Sequence, residues 1–543
     1  MTDTDRALYG VLQELAGTDY ASANYAGDII ESDMRRTARE RGQALPTAGD
    51  VATETYHGAV VFDPVAGLHN HVSYPDYSAL YPNIMRDLNA SPETIAAVGD
   101  TDAFTSEHDV SDMQWSYIDT RPVKRLSEDE TYSDYTDGEY KIVYDPSQNS
   151  IKWRDDWSRI QDNLERIYFV PHEAYEGLLA SRADTYIRWN KSYEGTMYKA
   201  TKRTRNSLYG VSGDSNFQLF DWRVAEAITI AGRLLLEYGA DVLTERLQSA
   251  FDAEVYVTHG DTDGFGVAVD DPTLDRTHVL PKVQDATAWL NDTGMPEYVA
   301  DTFGVPASET AHEVDLESYS PRLFIPDGDG DSGTKKTYAE HVTWDEGEEC
   351  DEVSIKGFEA KRSDTANVTQ AVQRDVLTAV LQHEPADARE IIEERVQDAV
   401  SSIESGDMSL ADMGERSGMS SPPESYGSPD RSAHPTYRGA KYAKQHIDGE
   451  ETFDKPLKFP VKEVRGAYPS RYDTDTGEDG TAVDYVSVED PSNLPDEIVV
   501  DREQVVDSTL RQPLRRVLRT MGWSWSEIVD GEQQTNVTQF FQI

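Results

Sequence analysis

The feature of this sequence that most constrains its fold is a predicted β-hairpin whose turn carries two aspartates. Residues 255–258 and 265–269 are short runs rich in strand-forming side chains, and residues 260–263 form the turn between them. Asp261 and Asp263 are two residues apart, a spacing that places both side chains on one face of an extended strand. The hairpin therefore predicts a pair of carboxylates at one end of an antiparallel sheet.

A third aspartate lies at the end of another predicted strand. Residues 59–62 and 72–74 are predicted strands, and the second leads directly into Asp76. If two strands bring Asp76 and Asp263 together, their carboxylates can bridge two Mg²⁺ ions, which take few carboxylate oxygens plus substrate phosphates. Such an ion pair serves phosphoryl transfer from a nucleoside triphosphate, because one ion activates the attacking hydroxyl and the other holds the leaving pyrophosphate.

The DTD triplet alone is weak support for this chemistry. Acids fill 101 of 543 positions, so about 19 acid-x-acid triplets are expected by chance. The support comes from the flanking residues and from three motifs in one order: DYSALYPNIM at 76–85, KRTRNSLYG at 202–210 and THGDTDGFGV at 258–267.

The segment 202–210 is predicted to be a helix with a cationic face. Lys202 and Asn206 are four residues apart and share that face. The face can receive a triphosphate, while Tyr209 packs under a new base pair nearly two turns further on. Taken alone, the segment is also compatible with an amphipathic surface helix that ends at Gly210.

The chain is strongly acidic, with 50 basic and 101 acidic side chains and a net charge of −51. This balance would ordinarily argue against a polyanionic partner. An acidic surplus spread over the whole length, with 38% hydrophobic residues, instead predicts adaptation to concentrated salt, where a Debye length of about 3 Å screens the global field. Local basic clusters can then still contact a polyanion, although each is equally compatible with a solvated face. They are Lys199, Lys202, Arg203 and Arg205; Lys335 and Lys336; Lys356, Lys361 and Arg362; and Arg511, Arg515, Arg516 and Arg519.

Cysteine and hydropathy indicate a cytoplasmic protein without a membrane span. Cys350 is the only cysteine, which excludes a disulfide framework and a thiolate zinc site. The most apolar stretch, 224–243, is interrupted by charged residues, and no signal peptide opens the sequence.

Several helices are expected from apolar periodicity. They cover 28–41, 158–190, 193–208, 225–247, a segment after Asp364 in which Val368, Val372, Val376 and Val380 recur, and 390–403. Asp364 is expected to cap its helix. Residues 405–435 and 471–484 are expected to be loops.

The motifs together resemble those of family B DNA polymerases of archaeal type, and the acidic surplus adds the expectation of a haloarchaeal member. Residues 76–85 resemble motif A of that family, 202–210 motif B and 259–264 motif C. KKTY at 335–338 resembles the primer-template contact motif, and KGFEAKRSD at 356–364 the junction between palm and thumb. Five motifs occur in family order.

The resemblance implies an α+β right-hand fold with an antiparallel-sheet palm, helical fingers and a mainly helical thumb. The expected division is an N-terminal segment 1–56, palm 57–95, an insertion of uncertain order 96–157, fingers 158–213, palm 214–363, thumb 364–528 and a tail 529–543.

The resemblance also implies roles for individual residues. Asp76 and Asp263 would be the principal ligands of two Mg²⁺ ions, with Asp261 assisting, and Tyr81 would exclude a ribose 2′-hydroxyl. The residues implied to bind the deoxynucleoside triphosphate are Ser78, Ala79, Leu80, Tyr81, Arg182, Lys202, Asn206 and Tyr209. Those implied to hold the primer-template duplex are Lys335, Lys336, Tyr338, Lys356 and Arg362.

The sequence departs from the family pattern in two respects. His259 stands where tyrosine is usual and Gly264 where serine is usual. Only about 56 residues precede HGAVVF, and we find no exonuclease motif. We therefore expect a polymerase core without a 3′–5′ exonuclease, or part of a split or truncated enzyme.

The last residues carry the spacing of a sliding-clamp-binding peptide. Gln534, Val537, Phe540 and Phe541 follow a Gln-x-x-aliphatic-x-x-aromatic-aromatic pattern, which places the apolar side chains on one helical face. The alternative is a frayed apolar tail.

The expected activity is template-directed DNA synthesis from deoxynucleoside triphosphates, with the clamp as partner. One alternative is a weak or inactive polymerase-derived protein that binds DNA and the clamp, but retention of Asp76, Asp261 and Asp263 speaks against it. A third, protein-primed viral replication, would need the 96–157 segment to dock a terminal protein.

Overall fold

The structure of the protein is a computed structural model. It describes residues 26–45, 56, 58–100, 116–119, 123–125, 142–145, 150–153, 165–170, 172, 175–328, 332–425, 435–447, 449–450, 452–464 and 484–531.

The described residues contain helices and strands throughout. The helices are α1 Ala26–Glu40, α2 Leu80–Asp87, α3 Leu178–Lys191, α4 Gly195–Ser212, α5 Trp222–Ala250, α6 Arg276–Trp289, α7 Met295–Phe303, α8 Asn367–Gln382, α9 Pro385–Ser405, α10 Leu410–Met413, α11 Pro435–His446, α12 Arg502–Val506, α13 Gln512–Thr520 and α14 Trp525–Asp530. The strands are β1 Gly67–Tyr77, β2 Ile95–Asp100, β3 Ser116–Asp119, β4 Val123–Arg125, β5 Ile142–Asp145, β6 Ser150–Trp153, β7 Glu165–Phe169, β8 Glu254–Asp261, β9 Gly264–Asp270, β10 Val314–Ile325, β11 Tyr338–Asp345, β12 Glu348–Lys356, β13 Glu415–Arg416, β14 Leu457–Val464, β15 Tyr485–Val488 and β16 Ile498–Val500.

The chain divides into two compact units. The first is formed by the described residues of Met1–Asp63, His71–Tyr319 and Asp345–Gly347. The second is formed by those of Pro64–Asn70, Ser320–Trp344 and Glu348–Ile543.

An antiparallel sheet at the centre of the first unit carries the predicted aspartates. Strands β8 and β9 form the expected hairpin, β1 pairs with β9, and the first part of β10 lies next to β1. Asp76 and Asp261 are both in register with Gly264. The strand order therefore brings all three aspartates to one end of the sheet.

Helix α5 packs against this hairpin and is buried along most of its length. The side chain of Asp221 caps it by accepting the N–H of Arg223 at 3.0 Å. The hydroxyl of Tyr77, the last residue of β1, donates to the carbonyl of Leu235 in α5. This bond fixes the helix to the strand that carries Asp76.

Helices α1, α3 and α4 pack together in the same unit, and the first and last of them match the sequence expectations. The helix predicted at 158–190 was partly wrong, because residues 165–169 form strand β7, which pairs with β2 and β3. The predicted strand 59–62 was also wrong, since it makes only an isolated bridge between Val61 and Asp261.

The described parts of the 96–157 segment are short strands. Strands β4, β5 and β6 form a three-stranded sheet with one parallel and one antiparallel pairing. The remainder of this segment, and most of the acidic loop predicted at 471–484, lie outside the described residues.

The second unit combines helices with two groups of strands. Strands β11 and β12 follow the second part of β10 in one sheet, and β13 to β16 form another around β14. Helices make up most of the regular structure described between 364 and 528, as expected, but the sequence did not predict the four-stranded sheet there.

The expected cap at the start of α8 was wrong. The helix begins at Asn367 with Ala366 at the N-cap and no side-chain capping bond. The carboxylate of Asp364 instead pairs with Arg362 at 2.7 Å. Among the described residues, no helix combines the length and the apolarity that crossing a membrane requires.

Candidate active site

Asp76 and Asp263 lie close together at the end of the β1–β9 pairing, where Asp76 is in register with Gly264. The N–H of Tyr77 donates to the carbonyl oxygen of Asp263 at 2.7 Å, which holds the end of β1 against the hairpin turn. Burial, followed by the negative charge of Asp263, raises the pKa of Asp76 to about 8. Burial also raises the pKa of Asp263. The fold therefore keeps two carboxylates close together at an energetic cost that a cation would relieve.

Gly264 lies directly between these groups. A Cβ at this position would fall 2.6 Å from Oδ1 of Asp76 and 2.6 Å from Cε1 of Tyr74. Such a separation is too short for non-bonded atoms, so a serine here would displace one of the two side chains. The departure from serine noted in the sequence thus has a steric reason in this chain.

His259, the other departure, packs on the same strands. Its ring centroid lies 5.6 Å from that of Tyr74, and its Nδ1 lies 2.9 Å from Oγ1 of Thr258. Gly266 gives the histidine this position, because a Cβ there would come within 2.9 Å of the imidazole. An aromatic pair therefore lies next to the carboxylates.

The predicted three-aspartate metal site is not assembled in the described structure. No group of three or more His, Cys, Asp or Glu side chains there is arranged to hold a metal ion. Asp261 ends β8, and its carboxylate accepts the Thr262 hydroxyl at 3.1 Å. Asp76 and Asp263 still suit Mg²⁺, which is commonly held by one or two carboxylates together with substrate phosphates.

The residues of the predicted triphosphate cradle, Ser78 to Leu80, lie at the start of α2. The N–H of Ser78 donates to the carbonyl of Glu313 at 2.9 Å, and its contact with phosphate stays a prediction. Ala79 adopts a left-handed conformation with φ 55°, and Leu80 begins the helix. The first N–H groups of a helix have no intrahelical acceptor and can bind an anion.

Tyr81 and Tyr209 form an aromatic pair. Their ring centroids are 4.4 Å apart. Gly232 of α5 lies on the other side of Tyr81, where a Cβ would fall 2.8 Å from Cε1 of the ring. The pair is therefore packed from both sides, as a side chain that shapes a sugar pocket would need to be.

Lys202 acts on the same carboxylates. Burial raises the pKa values of Asp76, Asp263 and Asp315, and the positive charge of Lys202 opposes each rise. The structure thus places this lysine within electrostatic reach of the aspartates, and its predicted contact with the nucleotide stays a prediction. Asp315 was missed, although Asp315 and Glu317 are two residues apart in β10 and so could have been predicted to share one face.

Arg205 was noted only as part of a basic cluster, and Asn190 was not predicted at all. Arg205 is buried, and its Nε donates to Oδ1 of Asn206 at 3.0 Å. Its Nη1 donates to Oδ1 of Asn190 at 2.9 Å. No short-range pattern signals this arrangement, because Asn190 and Arg205 lie on different helices.

Arg182 lies in a different group from Lys202. Its Nε pairs with the buried carboxylate of Asp33 at 2.7 Å, and the Tyr186 hydroxyl donates to the same carboxylate at 2.7 Å. The guanidinium also lies 5.2 Å from the ring of Trp189. Its predicted contact with a nucleotide stays a prediction.

Known proteins resemble the chain in the region that holds this site. The model of DNA polymerase family B matches residues 25–281, a range that includes Asp76, Lys202 and Asp263. "DNA polymerase 1" of Sulfolobus acidocaldarius is 25% identical over 90% of this chain and 44% of its own length. "DNA polymerase" of Desulfurococcus sp. (strain Tok) is 24% identical over 67% of this chain and 37% of its own length.

Over residues 25–281 this chain resembles DNA polymerase family B. A solved structure of the family B DNA polymerase from the hyperthermophilic archaeon Pyrobaculum calidifontis shares the fold, with a TM-score of 0.55 and 17% identity. That alignment covers 94% of this chain and 53% of the other. The chain thus spans about half the length, or less, of these relatives.

The residues predicted to hold the primer-template duplex lie in the second unit. Nζ of Lys356 donates to the Tyr338 hydroxyl at 2.7 Å and lies 5.0 Å from its ring centroid. Lys336 adopts a left-handed conformation with φ 57°, and a Cβ at Gly357 would fall on its carbonyl oxygen. The two motifs, KKTY and KGFEAKRSD, are therefore packed against each other.

Arg362 lines a polar pocket of about 520 Å³ next to these motifs. The other cationic residues of its lining are Arg416, Lys458, Arg515 and Arg516. Arg362 is paired with Asp364 and Lys458 with Glu415. The predicted clamp-binding residues Gln534, Val537, Phe540 and Phe541 lie outside the described residues.

Proposed function

We propose that this chain is a DNA-dependent DNA polymerase that adds deoxynucleotides to a primer 3′ end by metal-assisted phosphoryl transfer. The observation that carries the proposal is the pairing of Asp76 with Asp263, in a region that matches family B, beside the cation of Lys202. Relatives named as DNA polymerases support the same activity.

The donor set suits divalent metal ions. Asp76 and Asp263 would hold Mg²⁺, because burial and then the charge of Asp263 raise the pKa of Asp76, and a bound cation would offset both effects. When bound, the ions would supply the charge that activates a primer hydroxyl and stabilises departing pyrophosphate. Asp261, at the end of the adjacent strand, would assist by adding negative charge.

Side chains around the aspartates would bind and select the nucleotide. Lys202 and Asn206 share a face of α4 and can contact a triphosphate. Tyr81, packed between Tyr209 and Gly232, would occupy the space of a ribose 2′-hydroxyl. Deoxynucleotides would then fit the pocket and ribonucleotides would be excluded by contact with the ring.

Primer-template DNA would lie along the basic residues of the second unit. Lys335, Lys336, Lys356 and Arg362 would contact backbone phosphates, together with Arg515 and Arg516 from the pocket beside Arg362. In concentrated salt such local contacts matter more than the net charge of −51. The sliding clamp remains the proposed partner of the C-terminal peptide.

The first test is primer extension in molar KCl with Mg²⁺. The intact chain should extend a labelled primer, and Asp263→Ala should reduce the rate by at least about 10³-fold, because charge stabilisation at the reacting phosphate is lost. Glu254→Ala, which alters an exposed carboxylate at the start of the same hairpin, should extend normally.

Full activity of Asp263→Ala would overturn the site assignment. Absence of extension by the intact chain, with the duplex still bound, would favour the accessory DNA-binding role. Absence of a 3′–5′ exonuclease stays a prediction of the sequence, and removal of a mismatched primer terminus in this assay would contradict it.

A further inference from the structure

Arg205 is a buried arginine on the helix that carries Lys202 and Asn206. It is 4% exposed, whereas arginine is rarely buried unless its charge and its donors are partnered. It occupies one of the few basic positions in a chain with twice as many acids as bases. Its burial therefore calls for a structural explanation.

Its hydrogen bonds determine how the amide of Asn206 is oriented. A guanidinium carries only donors, so the Asn206 atom that faces Nε of Arg205 at 3.0 Å must be the carbonyl oxygen Oδ1. With Oδ1 occupied, the free edge of the amide is its NH₂ group. Because Asn206 is exposed, that group is open to a ligand, and it can only donate.

Arg205 is itself held by Asn190 of α3. Asn190 is 1% exposed. Its Oδ1 accepts from Nη1 of Arg205 at 2.9 Å, and its Nδ2 donates to the Tyr198 carbonyl and the Thr201 hydroxyl, both at 2.9 Å. Both ends of the Asn190 amide are thus bonded, and a satisfied buried network of this kind holds a single geometry.

The same face of the helix points at the candidate active site. Lys202, one turn before Asn206, acts electrostatically on Asp76 and Asp263. A triphosphate offers only acceptor oxygens to the protein, so a side chain that binds it must present donors. An Asn206 amide turned the other way would present its oxygen to the phosphates and repel them.

We propose that Arg205, anchored by Asn190, is a positioning residue that fixes the Asn206 amide with its NH₂ group toward the triphosphate of the incoming nucleotide. The inference rests on the proposed polymerase function and deepens it. Arg205 does not touch the nucleotide. Its contribution is to nucleotide binding through Asn206 and not to the chemical step.

The test is the dependence of primer extension on deoxynucleotide concentration. Asn206→Ala should raise KM about tenfold or more, the range for loss of one hydrogen bond to a charged group, with kcat within about twofold. Arg205→Met, which keeps the length of the side chain without its donors, should raise KM severalfold and also leave kcat nearly unchanged.

A double variant tests whether Arg205 acts through Asn206. Arg205→Met combined with Asn206→Ala should have the KM of Asn206→Ala alone, because the residue that Arg205 orients is already gone. Effects that multiply would overturn the proposal. An unchanged KM in Arg205→Met, with a raised KM in Asn206→Ala, would overturn it too.

Arg205→Lys separates positioning from charge. Lysine keeps the positive charge that Asp76 experiences, but one ammonium cannot bond Asn190 and Asn206 in the fork geometry of arginine. We expect the raised KM to persist in this variant. Recovery of the original KM would show that charge alone is needed.

Folding and site assignment are controlled separately. If Arg205→Met unfolds, Asn206→Asp keeps a bond to Arg205 and loses the donor edge, so its KM should rise at least as much as in Asn206→Ala, and an unchanged KM would contradict the proposal. Arg188→Met, in which an exposed arginine of α3 loses its pair with Asp184, should leave KM unchanged. Normal kinetics in both Asn206→Ala and Asp263→Ala would instead refute the proposed function.

Discussion

Gly264 decides how closely Tyr74 and Asp76 can pack at the hairpin. The two side chains project from the same face of β1, two residues apart, and both approach the position where a Cβ of residue 264 would lie. The close approach of the Asp76 carboxylate to the turn therefore depends on a missing side chain. This is a constraint on geometry that no charge pattern in the sequence reveals.

Gly264→Ser is expected to impair catalysis without unfolding the chain. The new side chain would displace Asp76 or Tyr74, and a misplacement of about 1 Å at a reacting centre can cost about 10²-fold in rate. We expect kcat for primer extension to fall by about tenfold or more, with an unchanged thermal midpoint. Gly418→Ser, at a glycine with open space around it, should leave kcat unchanged, and equal kinetics of the two variants would contradict the prediction.

The sequence predicted the roles of individual residues only where they lie in a motif whose residue types indicate the chemistry. Asp76, Lys202 and Tyr81 lie in motifs whose order points to their functions, and the structure places them around one site. The partner of Arg182 could not be predicted, because Asp33 is 149 residues away in the chain. Its burial depends on the packing of α1 against α3, which local periodicity does not encode.

At the scale of secondary-structure elements, the spacing of apolar residues determines which faces of α8 and α9 are buried against each other. Val372 and Val376 of α8 and Ile392 and Val396 of α9 are fully buried in one core. The i, i+4 spacing of these residues on each helix creates the contact face. Packing of the two faces then stabilises the second unit.

Ile392→Ala should destabilise the second unit, and Ile391→Ala should not. Ile392 is 0% exposed and its neighbour Ile391 is 40% exposed, so only the first substitution leaves a cavity. We expect a loss of about 2–5 kcal/mol in the free energy of unfolding for Ile392→Ala, and a change within about 1 kcal/mol for Ile391→Ala. Denaturant unfolding monitored by circular dichroism measures both, and equal losses would show that the helix face is misassigned.

Two elements were predicted wrongly because local pattern competed with pairing partners. Residues 165–169 carry apolar side chains that are compatible with a helix, but β2 and β3 on either side provide hydrogen-bond partners for a strand. Asp364 has the right residue type for a helix cap, yet a nearby arginine offers its carboxylate a charged partner at 2.7 Å. Pairing with distant strands determined the first outcome, whereas an ion pair with a residue two positions away determined the second.

At the scale of the whole molecule, the acidic surplus should make stability depend on salt. A net charge of −51 destabilises a compact state by self-repulsion. Raising the ionic strength from about 0.1 M to about 1 M shortens the Debye length from about 10 Å to about 3 Å. Repulsion between distant surface carboxylates is then screened.

The thermal midpoint of unfolding should therefore rise between 0.2 M and 2 M KCl. If screening adds a few kcal/mol to the free energy of unfolding, the rise in a chain of this size is about 5 °C or more. Differential scanning calorimetry measures this directly. Sucrose at matched osmolality is the control, because it is excluded from the protein surface without screening charge. A midpoint that stays constant or falls in KCl would contradict the interpretation of the acidic surface as an adaptation to salt.

The sequence by itself determined the hairpin with its aspartates, the order of the motifs, the main helices around them and the acidic surface, since each follows from neighbouring residues or from composition. Only the tertiary structure decided that Gly264 must lack a side chain beside Asp76, that Arg205 bonds Asn190 and Asn206, and that Asp33 neutralises Arg182. These contacts join residues from separate elements. Their geometry depends on how helices and strands pack, and burial then determines which polar groups must be paired.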